Sequence, residues 1–297
     1  MASLTPGCVD QHPQKHFEKF AQKFLLAKRW LSQYPVTAIG IFLLLIIISS
    51  SILAPILAPQ APDAQDLDHI LALPSWQHLL GTDALGRDLL SRLMWAGRIS
   101  LAIATIVLSL SLLIGGTIGF VAGFYGGWLD ELWMRGMDLF LSIPTLILAL
   151  ALIGTLGTGL QTMTLALTIS WFPAYARLVR SQVLVLKNQD FITAAITLGG
   201  SSWHILWHHY LPSLVGVVVV QLSLDVGAVV LAIAGLSFIG LGVQPPTPEW
   251  GTMLVDARPL MQVAPHTVIT PGLAIFATVF GFHTLSEALE NWLEPRK

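Results

Sequence analysis

Asp225 is the side chain whose type and place most demand a chemical explanation. It is the one acidic residue deep in the apolar run Leu214–Val243, where an ionised carboxylate costs about 2.5–3.5 kcal/mol. Such a group turns towards a polar interior. Two roles are open: lining a pathway that contacts a cation or polar solute, or forming a protonated or hydrogen-bonded contact between helices. His283, in the last apolar run, reads as an interhelix histidine and is the second candidate for a path. His204 and His208 have the i, i+4 spacing of a helical metal pair, with His209 adjacent, but no further ligand follows. They read as a polar rim, and no metal or cofactor is expected on this chain. Cys8 stands alone, which excludes an internal disulfide and a cysteine-based metal cluster. No Gly-Lys pair occurs, so a phosphate-cradling GxxxxGK[ST] loop is excluded, and HExxH and GxSxG are absent. The chain reads as non-catalytic, with any ATP hydrolysis on another polypeptide.

These residues are positioned by segments made for lipid. Of the 297 residues, 54% are hydrophobic and 11% charged, and the mean hydropathy is +0.72. Crossing a hydrocarbon core takes about 20 apolar residues. Six runs qualify: Val36–Ala58, Ile99–Phe124, Met137–Gly157, Leu160–Arg177, Leu214–Val243 and Ile269–Ala288, the fourth interrupted by Ser170, Pro173 and Tyr175. Period-two alternation is absent and lipid demands internally satisfied backbones, so the expected fold is all-α with six transmembrane helices.

Orientation follows from basic residues beside the runs. Lys15, Lys19, Lys23, Lys28, Arg29, Arg135, Arg177, Arg180, Lys187, Arg296 and Lys297 fall on one side, eleven of the fifteen. That side is expected to be cytoplasmic, with both termini on it. Arg87, Arg92, Arg98 and Arg258 fall outside. About 30 residues precede the first run, which is itself too long for a signal peptide core, so no cleaved leader is expected. Phe17, Phe20, Ala21 and Phe24 recur at helical spacing with Lys19 and Lys23 on another face. They suit an interfacial helix or a plain topology signal.

The connection from Leu178 to Pro212 is the longest on the cytoplasmic side. Phe191, Ala194, Ala195 and Leu198 share one helical face before Gly199-Gly200 breaks the chain. Ser201 or Ser202 can cap a second helix carrying Trp203, Leu206, Trp207 and Tyr210 at the same spacing, which Leu211-Pro212 is expected to end. Two amphipathic helices with aromatic faces suit docking into a partner's groove, or packing beneath the bundle.

On the other side, Thr82 or Asp83 is expected to cap a short helix on which Asp88 and Arg92 pair at i, i+4 and Leu85, Leu89 and Leu93 form a stripe. The turn Gln244–Pro248 cannot continue a helix and holds a loop in which Trp250 is expected at headgroup level. Gly115, Gly119, Gly123 and Gly127 give overlapping GxxxG patterns that predict close helix approach. Pro144 and Pro173 are expected to kink their spans.

Several of these stretches together resemble one family. Thr193-Ala194-Ala195, Gly199 and Leu211-Pro212 resemble the "EAA" loop of binding-protein-dependent importer permeases, with Thr193 where Glu is usual. Leu80-Gly81-Thr82-Asp83, Gly86-Arg87-Asp88, Ser91-Arg92-Leu93 and Arg98-Ile99-Ser100-Leu101 look like the pre-helix signature of the dipeptide, oligopeptide and nickel family, in its second permease subunit. Gly235–Val243 followed by Pro245-Pro246-Thr247-Pro248-Glu249-Trp250-Gly251 resembles the same family's fifth-span exit. The similarity extends from about Leu80 to Pro295.

The resemblance implies a type I ATP-binding-cassette importer permease fold in the bacterial plasma (inner) membrane. It implies a homologous permease as heterodimer partner, two ATP-binding subunits carrying ATP and Mg, and an extracytoplasmic substrate-binding protein; nucleic acid is not a partner. The domains are then a tail over 1–35, a first helix over 36–58, an extracytoplasmic loop over 59–98, a core over 99–290 with its coupling loop at 190–212, and a tail over 291–297. Coupling falls to Phe191, Thr193, Ala194, Ala195, Leu198, Gly199, Trp203, Leu211 and Pro212. Contacts with the binding protein fall to Asp83, Arg87, Asp88, Glu249 and Trp250. Peptides, nickel and metal chelates are the implied substrates; nickel members place an acid in a setting similar to Leu224-Asp225-Val226-Gly227. The alternatives are an ion-coupled secondary transporter using Asp225 and a non-transporting membrane scaffold.

Overall fold

The computed structural model describes residues 35–293. Phe17, Phe20, Ala21 and Phe24, the basic residues ahead of the first run, and Arg296 and Lys297 lie outside the described residues. Among those described, regular structure is helical, and one isolated bridge joins Thr82 to Asp88.

Helix α1 spans Pro35–Ile52 and is followed by a single turn, α2, Ala54–Leu57. Helix α3 is 37 residues long, Leu89–Tyr125. The expected short outer helix is the first turns of α3 itself, because Asp88 rather than Thr82 or Asp83 supplies the cap, accepting from the Ser91 amide at 2.8 Å. Helices α4, Gly127–Leu141, and α5, Thr145–Leu156, meet at 84°. The third expected run is therefore two helices. Pro144, immediately before α5, cannot donate to the preceding turn, so the chain breaks there instead of kinking.

Helix α6, Leu160–Lys187, runs through Pro173. Helix α7, Asp190–Thr197, and the short α8, Ser202–Ile205, form the intervening segment, and a π-helical turn over Leu206–Tyr210 leads straight into α9, Leu211–Phe238. Leu211-Pro212 thus opens a helix rather than ending one. The π-helical turn just before it runs on without a break, so Pro212 lies inside one helical stretch, Ser202–Phe238, at the point where the π turn gives way to α-helix. Helix α10, Trp250–Ala257, and α11, His266–Leu293, complete the described residues.

Among the described residues, four stretches are long and apolar enough to cross a membrane: Pro35–Ile52, Leu89–Tyr125, Ser202–Phe238 and His266–Leu293, with the bent α4–α5 pair a fifth. Helix α6, the fourth expected span, has 28 residues, about 42 Å of helix. It falls short in hydropathy, since Arg177, Arg180 and Lys187 lie in its last turns.

The α3–α6 pair is the backbone of the bundle, and the glycines explain it. A Cβ at Gly115 would overlap the carbonyl oxygen of Phe172, one at Gly119 that of Ala176, and one at Gly123 would press on Val183 and the Arg180 carbonyl at 3.0–3.1 Å. Ser111 donates to the Thr168 carbonyl at 3.3 Å. Residue numbers rise together along both helices, so the two run parallel, with α4 and α5 as the return. Around this pair, buried side chains of α3, α5, α6, α9, α10 and α11 form one core that includes Ile103, Val107, Ile153, Met163, Leu167 and Ile233. A smaller core of Val179, Val183, Ile192, Ile205, Tyr210 and Leu214 sits under the α7–α8 segment.

Candidate functional site

The α7–α8 segment is built with two apolar faces. Its inner face carries Ile192, Ile205 and Tyr210, all buried. Tyr210 meets Phe120 and Phe124 edge-on at ring distances of 5.7 and 5.9 Å, which fixes the segment to the end of α3, while Val179 and Val183 bring α6 into the same cluster. The outer face carries Phe191, Ile196, Leu198, Trp203 and Trp207, all exposed, Leu198 by 87% and Trp203 by 68%. Thr193 and Ala194 are exposed beside them, and Ala195 is half-buried against the smaller core.

The bend between the two helices is a Schellman cap. Gly199 adopts φ +83°, its amide donates to the Ile196 carbonyl, and the Gly200 amide donates to the Ala195 carbonyl, both at 3.0 Å. Ser201 then caps α8 by accepting from the His204 amide at 3.2 Å. This turn aims Leu198 and Trp203 outward together. Trp207 stacks edgewise on Trp203 at 5.7 Å. His204 and His208 stack flat at 4.1 Å, and His208 Nδ1 faces the His204 carbonyl at 3.1 Å, an arrangement of rings rather than of converging ligands. Of the residues expected on the outer face, Leu206 is half-buried and Tyr210 is buried inside, while Ile192 and Ile205, which hold the segment in place, carried no motif of their own.

Asp225 lies on α9, where the Tyr175 hydroxyl of α6 donates to its Oδ2 at 2.8 Å. Both line a concavity of about 470 Å³ with Gln221, Arg177 and Arg180. One wall is held in place by α4: Arg180 is bidentate to Asp130 at 2.7 and 2.7 Å, and Arg177 reaches Asp138 at 2.8 Å. The concavity is therefore lined by a carboxylate, a phenol, an amide and two guanidinium groups, with the phenol already bonded to Asp225 and both guanidinium groups already paired with carboxylates of α4. His283 does not line it. It pairs within its own helix, Nε2 lying 3.6 Å from Glu287 at i+4, and both side chains are more than half exposed.

The opposite end of the bundle is stitched together by the remaining candidates. Glu249 caps α10, accepting from the Thr252 amide at 3.0 Å and from the Ser100 hydroxyl of α3 at 3.1 Å. Trp250 is only 1% exposed and donates from Nε1 to the Leu93 carbonyl at 3.1 Å. It lies against the notch left by Gly97 rather than at headgroup level. Asp83 accepts from the Leu85 and Arg87 amides and from Arg87 Nε at 2.6 Å. Arg92 pairs with Asp83 at 3.6 Å and Asp256 at 3.9 Å, not with Asp88, whose carboxylate is taken up by the α3 cap and by His78. Burial holds the Asp256 carboxyl above the usual range, against the pull of Arg92 and Arg87. Four of the five residues expected to touch an external protein, Asp83, Asp88, Glu249 and Trp250, are thus buried, and Arg87 is nearly so.

Removing one of these stitches has a definite cost. Glu249→Ala deletes a helix cap and strands the buried Ser100 hydroxyl, so a loss of about 2 kcal/mol is expected. It is read as a lower melting temperature in detergent, with Glu249→Gln retaining part of the stability.

Residues 115–297 match the family model described as "Binding-protein-dependent transport system inner membrane component". The chain is 41% identical over 269 residues to the "Glutathione transport system permease protein GsiD" of Pectobacterium atrosepticum, covering 91% of this chain and 89% of that one. The protein of the same name from Escherichia coli O1:K1 is 41% identical over 270 residues, with the same coverage. Among solved structures, a chain of the inward-facing MetNI methionine ABC transporter superposes with a TM-score of 0.52 at 18% identity, covering 64% of this chain and 93% of that one. That likeness shows the fold. The chain belongs to the binding-protein-dependent transport system inner membrane component family, and within it is an ATP-binding-cassette importer permease of the dipeptide/oligopeptide class.

Proposed function

We propose that this chain is the membrane-spanning half of an importer for small peptides of the glutathione type, driven through its α7–α8 segment by a separate ATPase. The observation that carries the reading is the outer face of that segment. Leu198, Trp203 and Trp207 stand in the open while Ile192 and Ile205 already satisfy the chain's own packing. A face of that kind suits a helix-in-groove contact with a partner. Both termini and this segment lie on the cytoplasmic side of a bacterial inner membrane, and a homologous permease completes the pathway. Two ATP-binding subunits supply ATP and Mg, and an external binding protein delivers the solute. That protein meets the exposed rim of the outer segment, which Asp83, Arg87, Asp88, Glu249 and Trp250 shape from beneath.

The names carried by relatives 41% identical to this chain support a glutathione-like peptide over nickel. The concavity around Asp225 suits the same class, since a peptide brings an ammonium group for the Asp225 carboxylate, while Arg177 and Arg180, already paired with Asp138 and Asp130, hold the wall. The test is uptake of labelled glutathione and dipeptides by proteoliposomes holding the assembled transporter. Asp225→Ala is expected to lower uptake about tenfold, the loss of one charged hydrogen bond, with binding-protein-stimulated ATP hydrolysis retained. Unchanged uptake would remove Asp225 from the path. Uptake that ignores ATP but collapses with an ion gradient would overturn the ATP-driven reading.

A further inference from the structure

We propose that Asp66, His69 and His78 form a binding site for one divalent transition-metal ion of the zinc class at the head of α3. One donor atom from each of the three side chains lies within 4.8 Å of the others. Asp66 Oδ2 and His69 Nδ1 are already 2.8 Å apart. His78 is 3% exposed, and its Nδ1 is held by Asp88 Oδ1 at 3.1 Å, which leaves Nε2 as its open donor. A carboxylate on the far nitrogen is how a metal-binding imidazole is commonly oriented. Asp88 is itself fixed, because its other oxygen accepts from the Ser91 amide and hydroxyl at 2.8 and 2.7 Å.

The backbone that presents the three groups is tied down at each point. Thr82 donates its hydroxyl to the His69 carbonyl and accepts from the Ala72 amide at 2.8 Å. The Leu71 amide donates to the Asp83 carbonyl at 3.1 Å. Gly86, at φ +70°, lies so close to Asp66 that a Cβ there would overlap its carbonyl oxygen. Ligands around tetrahedral zinc, at metal distances of about 2.0–2.1 Å, stand about 3.3 Å apart; no donor separation here exceeds 4.8 Å, so closing the site takes a shift of at most about 1.5 Å, and the ion would replace the 2.8 Å hydrogen bond between Asp66 and His69. Two imidazoles and one carboxylate select a zinc-class ion over calcium or magnesium, which favour all-oxygen sets. A water completes the fourth position. The ion would clamp the 66–78 segment to the cap of α3. The spacing of Asp66, His69 and His78 matches no local metal motif, so the absence of metal expected from the sequence rested on the lone Cys8 and on His204 and His208.

The test uses the full-length chain, free of any affinity tag, in lipid nanodiscs equilibrated with Zn²⁺ alone. Bound metal is counted by mass spectrometry after gel filtration, and affinity is read by competition with a chromophoric chelator. Wild type is expected to hold one Zn²⁺ per chain. His69→Ala and Asp66→Asn are expected to weaken binding at least about tenfold, the lower bound for losing even an outer-shell partner, and His69→Cys to restore it. The His69 side chain is 47% exposed, so the melting temperature of His69→Ala without zinc should equal that of wild type. A His204→Ala/His208→Ala double variant should bind as wild type does. The proposal is overturned if wild type retains no zinc, if His69→Ala and Asp66→Asn bind as tightly as wild type, or if only the His204/His208 variant loses it. None of these readouts depends on transport, so the importer reading stands or falls separately.

Discussion

Gly199→Val is expected to lower ATP-driven uptake about tenfold while the protein still inserts and assembles. At φ +83° a side chain with a Cβ costs roughly 1–2 kcal/mol, and a β-branched one sits at the upper end. A difference of about 1.4 kcal/mol is a factor of ten in the population that keeps the turn. Nothing lies within 4 Å of the position a Cβ would take, so the penalty is purely conformational and the bundle is spared. The turn sets the angle at which Leu198 and Trp203 face outward. Its loss should separate ATP hydrolysis from uptake. Truncating the face directly should act through affinity: Trp203→Ala is expected to weaken ATPase binding about thirtyfold, the cost of a buried aromatic anchor at an interface. Ile192→Ala provides the contrast, since Ile192 is wholly buried inside the segment. It should lower thermal stability of the region before it touches affinity.

The second large effect belongs to the α3–α6 contact. Gly119→Leu is expected to abolish accumulation of folded protein in the membrane. Even the Cβ of alanine would overlap the Ala176 carbonyl, and backbone cannot move aside as a flexible side chain can. Overpacking costs typically 1–3 kcal/mol per site in cores that can adjust; here two parallel helices would have to separate along their common length. Gly116, one turn position away, supplies the control. Its nearest neighbour is a methyl of Leu112 at 3.4 Å, so Gly116→Ala should be tolerated. Membrane-fraction yield and the melting temperature in detergent measure the difference. Equal yields from the two variants would mean that the glycine stripe does not set the helix approach.

What could be read beforehand follows from how local each signal is. Apolar runs and the four-residue glycine spacing are local, and the helices and a close approach at Gly115, Gly119 and Gly123 follow from them, though not that α6 is the partner nor that Gly127 stands clear of any neighbour. The Gly199-Gly200 break is local as well, whereas the sequence left open whether the face of Phe191, Ala194, Ala195 and Leu198 docks on a partner or packs beneath the bundle; the structure exposes Phe191, Ala194 and Leu198 and half-buries Ala195. Other features depend on partners distant in the chain. Trp250 and a proline-rich turn look interfacial in isolation, yet the indole is bonded to Leu93, 157 residues away. Asp88 and Arg92 have ideal pairing spacing, but the cap of α3 and His78 claim the carboxylate first. Pro212 looked like a terminator because a proline has the same sequence appearance at either end of a helix, and only the continuous π-turn distinguishes them. The hydropathy of α6 is low because of its own residues, Ser170, Pro173 and Tyr175 together with Arg177, Arg180 and Lys187. What the sequence alone does not give is that the three basic ones bond to α4 and to the Phe124 carbonyl. The two ends of the molecule thus differ in kind. One is an apolar face left open, and the other is a buried polar frame.

The most direct test places a single cysteine at Leu198 or Trp203, with Cys8→Ser, in the assembled transporter in native membranes. Oxidative crosslinking to the ATPase subunit, with a yield that changes on adding ATP and Mg, is the expected result, together with protection of the thiol from impermeant reagents added outside. Labelling from the outer side, or no adduct with the ATPase in any nucleotide state, would contradict the reading of α7–α8 as the part of this permease that the ATPase moves.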